Sequence, residues 1–228
     1  MRKKRIKDKK RLNIILNREN AKSIPYEQMK NIRSSIQFAS TKELKSLIVT
    51  SPESGTGKSF VATNLALTYA EQGKKVLLVD TDLRRPTIHK MFGKENILGI
   101  TSVLTGQETI ENCVQDTIFN SLTILTSGFL PPNPAELLES EEMKEIIKQL
   151  TTDYDIVIFD APPVLPVVDS ALLSTLVDGV VFVIRSRYTE QGAAVKAVEK
   201  IKSAGSRIIG TILNDKSSKD SGYEAEYY

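Results

Sequence analysis

The sequence predicts one α/β domain built on a mainly parallel sheet flanked by helices, and three observations predict it. Six short apolar runs, at 47–50, 76–79, 122–126, 156–159, 180–184 and 208–213, are mostly continuous rather than alternating, as in strands covered on both faces. Amphipathic stretches lie between them, so strand and helix alternate along the chain. The first apolar run passes through a glycine-bearing turn directly into one of the helical stretches. At 228 residues, 40% hydrophobic and 26% charged, the chain has the size of one ordinary domain, and its composition excludes a disordered, collagen-like or disulfide-stapled protein.

Residues 1–22 read as a flexible basic arm. Eight Lys and Arg within residues 1–11 face a single Asp8, a local +7, so the rest of the chain carries −4 against the overall +3. The isoelectric point of 8.8 therefore describes the arm and not the domain. Such an arm is either simply solvated or placed near anionic lipid or nucleic acid. No aromatic residue interleaves its charges, which disfavours stacking on single strands, and no nucleic-acid partner is expected. No apolar run reaches the roughly 18 residues of a membrane span, and none follows the arm to form a secretory signal. A single cysteine, Cys113, excludes an internal disulfide and reads as a small core residue, so the expected compartment is the cytoplasm.

The domain itself is expected over residues 23–214. Ser23-Ile24-Pro25 starts a helix, with proline where its missing N–H costs little, and Met29, Ile32, Ile36 and Ala39 give it one apolar stripe. Further helices are expected over 58–72 and 190–204, stopped by Gly73 and Gly205 as left-handed caps, over 134–150 and 167–177, and in a broken stretch over 87–114. From Asp215 the chain turns polar and ends Gly-Tyr-Glu-Ala-Glu-Tyr-Tyr, a flexible tail over 215–228.

The segment Leu47-Ile-Val-Thr-Ser-Pro-Glu-Ser-Gly-Thr-Gly-Lys-Ser59 has the strand–turn–helix context of a P-loop. Gly55 and Gly57 let the backbone curl so that N–H groups of residues Ser54, Gly55, Thr56, Gly57, Lys58, Ser59 and Phe60 surround a phosphate at a helix N-terminus. Lys58 would reach the outer phosphates and the Ser59 hydroxyl would ligate Mg²⁺. The strict pattern asks for glycine six residues before the lysine, where this chain has Pro52. Asp80 and Asp82 follow the second apolar run and Asp160 the fourth, at strand C-termini, where ligands bind in open parallel sheets. Carboxylates, a hydroxyl, waters and phosphate oxygens are what Mg²⁺ takes, so the set points to a P-loop protein that binds a nucleotide with Mg²⁺. Asp155 precedes its strand and reads as a turn, Asp169 is a weak site candidate, and His89, with no second histidine, reads as surface or packing.

Together with Asp-Thr-Asp-Leu-Arg-Arg-Pro86, Ser127-Gly-Phe-Leu-Pro-Pro-Asn-Pro-Ala-Glu-Leu-Leu138, Phe159-Asp-Ala-Pro-Pro163 and the terminal tyrosines, these elements resemble the bacterial tyrosine kinases of capsule and exopolysaccharide synthesis. The resemblance runs from about Tyr26 to Tyr228. It implies a P-loop fold of the partition-ATPase-like superfamily, although Glu53 stands where partition ATPases carry a signature lysine. It implies that Lys58 and the loop hold the phosphates, that Ser59, Asp82 and Asp160 hold Mg²⁺, and that Asp80 accepts or orients the phenol proton, with Asp80 and Asp82 interchangeable at this stage. Arg84 or Arg85 would stabilise transferred charge or pair with acids, and Asn214 would contact the base. Tyr223, Tyr227 and Tyr228, flanked by Glu224 and Glu226, are the implied phosphorylation sites; the other reading is a tail docked on the domain.

The resemblance further implies a homo-oligomeric ring assembled through a Glu-x-x-Arg-x-x-Arg element, here Glu27, Lys30 and Arg33 with lysine at the middle position. It implies external protein substrates and a separate membrane-anchored activator with a cytosolic tail, which would hold the chain at the inner face of the cell membrane. The function expected is ATP-dependent tyrosine autophosphorylation regulating polysaccharide export. The alternatives are a nucleotide-switched positioning ATPase that modifies nothing and a non-catalytic scaffold, against which the intact Lys58-Ser59 argues.

Overall fold

A computed structural model of the chain describes residues 24–216; the arm and the tyrosines Tyr223, Tyr227 and Tyr228 lie outside the described residues. In chain order the elements are α1 (Ile24–Phe38), β1 (Ser46–Thr50), α2 (Lys58–Ala70), β2 (Val76–Asp80), α3 (Ile88–Phe92), α4 (Ile100–Leu104) and α5 (Ile110–Cys113). There follow β3 (Val114–Asp116), β4 (Leu122–Leu125), α6 (Pro134–Glu139), α7 (Glu141–Asp153), β5 (Ile156–Asp160), α8 (Asp169–Ser174), β6 (Gly179–Arg185), α9 (Gln191–Ser203) and β7 (Ile208–Asn214). The strands form one seven-stranded sheet in the order β3-β4-β2-β5-β1-β6-β7. Every neighbouring pair is parallel except β3–β4.

The continuous apolar runs are explained by burial on both faces. Leu47 and Val49 of β1 pack with Leu65 of α2 and Met29 of α1, whereas Ile48 between them packs with Ile147 of α7 and Ile201 of α9. The same alternation repeats along β2 and β5, so each strand feeds two cores at once and has no polar face to show. All five residues of β1, β2 and β5 are buried, which makes these three the centre of the fold. Cys113 is a buried core residue, as expected.

Three expectations are corrected. Val114, expected at the end of a broken helix, begins the short antiparallel edge strand β3; three residues with partly exposed side chains carry too little pattern to announce a strand. The helix expected over 134–150 is two helices, because Ser140 takes an extended backbone (φ −65°, ψ 160°) and its hydroxyl accepts the N–H of Met143, capping α7. The helix expected over 167–177 shrinks to α8. Asp155 is a turn residue as expected: its carboxylate accepts the Lys75 N–H at 2.7 Å where the chain enters β2.

The only histidine of the sequence, His89 on α3, has a buried Nδ1 with no hydrogen-bond partner. Burial, with the charge of Lys90 adding to it, pulls its pKa below the ordinary 6.5. The unfolded chain therefore binds a proton that the folded chain resists. The stability contribution of His89 is present above pH about 6.5 and is lost as pH falls through the lower folded value. We expect the single imidazole resonance to titrate below 6.5 by NMR, and His89→Gln to remove that part of the acid-side loss of melting temperature.

Candidate functional site

The C-terminal edge of the sheet gathers the predicted side chains. β1 ends at Thr50, and the chain curls back over the strand end before α2 begins at Lys58. Gly55 (φ 83°) and Gly57 (φ 90°) adopt the left-handed conformation that side chains resist, so glycine is required at both. Pro52 is not among the left-handed residues, which is why this loop tolerates proline where the strict pattern has glycine. Its carbonyl instead accepts the N–H of Leu165 at 3.1 Å, and Ser51 accepts that of Val164 at 2.8 Å, tying the loop to the segment after β5.

The parallel register sets Asp80 directly beside Asp160, with Asp160 also beside Val49 of β1. All three acids are buried: Asp80 and Asp160 completely, Asp82 nearly so. The Lys58 ammonium enters this group, 2.9 Å from Asp82 Oδ2 and 3.4 Å from Asp160 Oδ1. Burial works against a charged lysine, but Asp160, Asp82 and Asp80 outweigh it and raise its pKa. Burial raises Asp160, opposed by Lys58 and by a hydrogen bond from Ser59. Burial and the charge of Asp160 push Asp80 up to about 8, although Oδ2 of Asp80 accepts the N–H groups of Thr87 and Ile88, each at 2.9 Å, at the start of α3.

Three buried carboxyls thus face one ammonium, and the imbalance is what a divalent cation compensates. A further observation fits magnesium and a phosphate chain. Asp160 Oδ2 and Thr56 Oγ1 are buried polar atoms without a hydrogen-bond partner.

The remaining candidates fall as follows. Arg84 reaches the fully buried Asp169 with Nε at 2.9 Å and Nη2 at 3.2 Å, so the sequence alternative of pairing with an acid is the one found; Arg85 gives its backbone N–H to Asp82 at 3.0 Å. Asn214, at the end of β7, donates Nδ2 to the Thr56 carbonyl at 2.9 Å. Ser54 is exposed, while Ser59 and Phe60 are half-buried. The Glu53 side chain, at the partition-ATPase lysine position, has a buried Oε1 without a partner. On α1, Glu27 and Lys30 pair at 2.7 Å, and Arg33 is buried with its guanidinium on the Thr68 carbonyl of α2. The sequence reading missed Arg185 and Tyr188, which lie against the P-loop; the one signal available was a polar pair directly after the apolar run of β6.

A strand–loop–helix cradle with a buried lysine and acids from the ends of β5, beside it, and β2, one strand further, on a mainly parallel sheet, defines a P-loop NTPase fold. The AAA domain family matches residues 44–210. Tyrosine-protein kinase YwqD of Bacillus subtilis (strain 168) is 48% identical over 204 residues, 89% of this chain and 86% of that one. The chimerical protein CapA2B2 superposes with a TM-score of 0.85 at 37% identity, covering 88% of this chain and 89% of that one. The kinase domain of the Escherichia coli tyrosine kinase ETK gives 0.82 at 31% identity, over 89% and 80%. More distantly, the septum site-determining protein MinD of Pyrococcus horikoshii, solved with Mg-ADP, gives 0.64 at 26% identity, over 77% and 73%. The chain belongs to the bacterial tyrosine-protein kinases.

The Arg84–Asp169 pair ties the loop after β2 to α8, and removing the cation strands a carboxylate that is wholly buried. We expect Arg84→Ala to cost about 1–2 kcal/mol in urea unfolding, less than a fully enclosed pair because the arginine is partly exposed. Asp169→Asn introduced beside it should return part of the loss.

Proposed function

We propose that this chain is an ATP-dependent tyrosine autokinase that modifies Tyr223, Tyr227 and Tyr228 at its own C-terminus, between subunits, and so regulates capsular or exopolysaccharide synthesis and export. The observation that carries the reading is the buried Lys58 ammonium held between Asp82 and Asp160 at the mouth of the P-loop. Membership of the tyrosine-kinase family and the terminal cluster of three tyrosines within six residues support it.

Phosphoryl transfer passes through a loose transition state, so catalysis is mostly placement and charge neutralisation. The bond between the terminal phosphorus and its bridging oxygen breaks, a bond to the phenol oxygen forms, and ADP leaves. Backbone N–H groups of residues 54–60 and the Lys58 ammonium bind the phosphates and oppose their charge. Ser59, Asp160 and Asp82 are the residues that would hold magnesium, whose bound charge would neutralise the phosphate oxygens. The phenol proton goes to Asp80 in its carboxylate form; burial and the charge of Asp160 raise its pKa, so once formed the carboxylic acid holds that proton better than an ordinary carboxyl would. Its orientation is fixed by the Thr87 and Ile88 N–H groups on its other oxygen.

In this reading the chain works as a homo-oligomeric ring through α1, where Glu27 and Lys30 reach the surface and Arg33 is turned inward onto the Thr68 carbonyl, with a membrane-anchored activator and external protein substrates. It acts at the inner face of the membrane through that activator; no helix among the described residues is long and apolar enough to cross a membrane. Each phosphate adds close to two negative charges to an acidic tail, and the repulsion loosens the ring. A second reading, a nucleotide-switched positioning ATPase, is favoured by the likeness to MinD. Glu53 opposes it.

Incubation with terminally labelled ATP and Mg²⁺ separates the two: label retained on tyrosine is the kinase outcome, and free phosphate alone is the switch outcome. Lys58→Met should lower tyrosine labelling by about a hundredfold or more. Asp80→Asn should lower kcat by about 10²–10⁴ while the KM for ATP holds. Replacing Tyr223, Tyr227 and Tyr228 together by Phe should abolish incorporation into the terminal peptide, read by mass spectrometry, while ATP binding persists.

A further inference from the structure

A P-loop that turns its N–H groups inward must turn carbonyls outward, and those carbonyls need donors of their own. Here three consecutive ones are each met by a different side chain. Ser54 C=O accepts the Tyr188 hydroxyl at 3.2 Å, Gly55 C=O accepts Arg185 Nη1 at 3.2 Å, and Thr56 C=O accepts Asn214 Nδ2 at 2.9 Å. All three donors come from one place, the paired ends of β6 and β7 and the turn that follows β6.

That place is itself braced. The Arg185 N–H is held by the Thr189 hydroxyl at 3.0 Å, and the Thr189 N–H returns to the Arg185 carbonyl at 3.0 Å. The Arg185 guanidinium lies over the Tyr188 ring at 5.2 Å and pairs with Asp215 at 2.8 Å. The approach is close enough to dictate residue identity on the loop. A Cβ at Gly57 would sit 2.2 Å from Asn214 Nδ2, and one at Gly55 would sit 3.1 Å from the Tyr188 oxygen. The loop glycines therefore serve the grip from outside as well as the curl within.

We infer that Arg185, Tyr188 and Asn214 are positioning residues that hold the P-loop from behind in its phosphate-receiving shape. Asn214 thereby acts through the loop backbone and not on the base. Without the grip, residues 54–56 would have to be ordered by the ligand at the moment of binding, and part of the binding free energy would go into that ordering. The inference rests on the nucleotide-binding reading above.

The test compares two ligands, Mg-ATP and Mg-tripolyphosphate, which carries the same phosphates without a base. Affinities are measured by calorimetry on the full chain and on Tyr188→Phe, Arg185→Gln and Asn214→Ala. Tyr188→Phe deletes only a hydroxyl from a half-exposed ring, so its melting temperature should stay at the wild-type value. Each variant is expected to bind both ligands about three- to tenfold more weakly, by the same factor for the two, the worth of one such hydrogen bond. Unchanged affinity for both ligands overturns the inference. A loss confined to ATP also overturns it, since the side chains would then be contacting the base. A wild-type chain that binds neither ligand overturns the nucleotide reading, and the inference with it.

Discussion

The constraint on which the rest of the structure depends is a buried ammonium among buried carboxyls. Lys58 stays charged in an environment that penalises charge only because Asp160 and Asp82 lie within 3.4 Å of it. Asp160 closes β5 and Asp82 follows just beyond β2, strands that are otherwise apolar and buried throughout. Taking any of the four groups out of water is expensive, and only the company of the others offsets it. The fold therefore has to bring the end of β1, the end of β2 and the end of β5 together at one level. The register that sets Asp80 against Asp160 does this.

Around that centre the P-loop is held from two sides by backbone and side-chain contacts that do not involve its charges. Toward β5, the segment after Asp160 gives N–H groups to Ser51 and Pro52. Toward β6, three side chains take the carbonyls of Ser54, Gly55 and Thr56. The loop after β2 is anchored separately, by the Asp80 carboxyl on the first N–H groups of α3 and by Arg84 on buried Asp169. Each loop that brings a functional group to the site is thus fixed to a neighbouring loop, so the acids keep their spacing although they come from segments about 80 residues apart.

How much of this was legible in the sequence follows from the range of each interaction. The six long strands could be read because burial on both faces leaves continuous apolar runs, a signal confined to a few consecutive residues. The P-loop and the acids at strand ends could be read because the glycines, Lys58 and Ser59 stand together and Asp80 and Asp160 each close an apolar run. β3 could not, since a three-residue edge strand has neither length nor periodicity. The break at Ser140 was missed because the apolar stripe continues from Leu138 to Met143 on either side of it, and only the cap reveals two helices. The grip of Arg185 and Tyr188 on residues 54 and 55 spans about 130 positions and leaves no local trace beyond two polar side chains at a strand end.

The same reasoning accounts for the two departures from the strict P-loop pattern. A pattern asks for glycine at Pro52, but the pattern records a sequence and the physical requirement is a backbone angle. In this loop the left-handed turns fall at Gly55 and Gly57, and position 52 lies outside them with its carbonyl already taken by the Leu165 N–H. Proline costs nothing there that a hydrogen bond would have supplied, since its missing N–H is not one of those that close the cradle. Glu53 is the opposite case: an acid stands at the place of a signature lysine, so that position supplies no cation to set against the buried acids. A chain that gives up that lysine leans more heavily on Lys58, and on whatever cation accompanies the phosphates, to balance its buried acids.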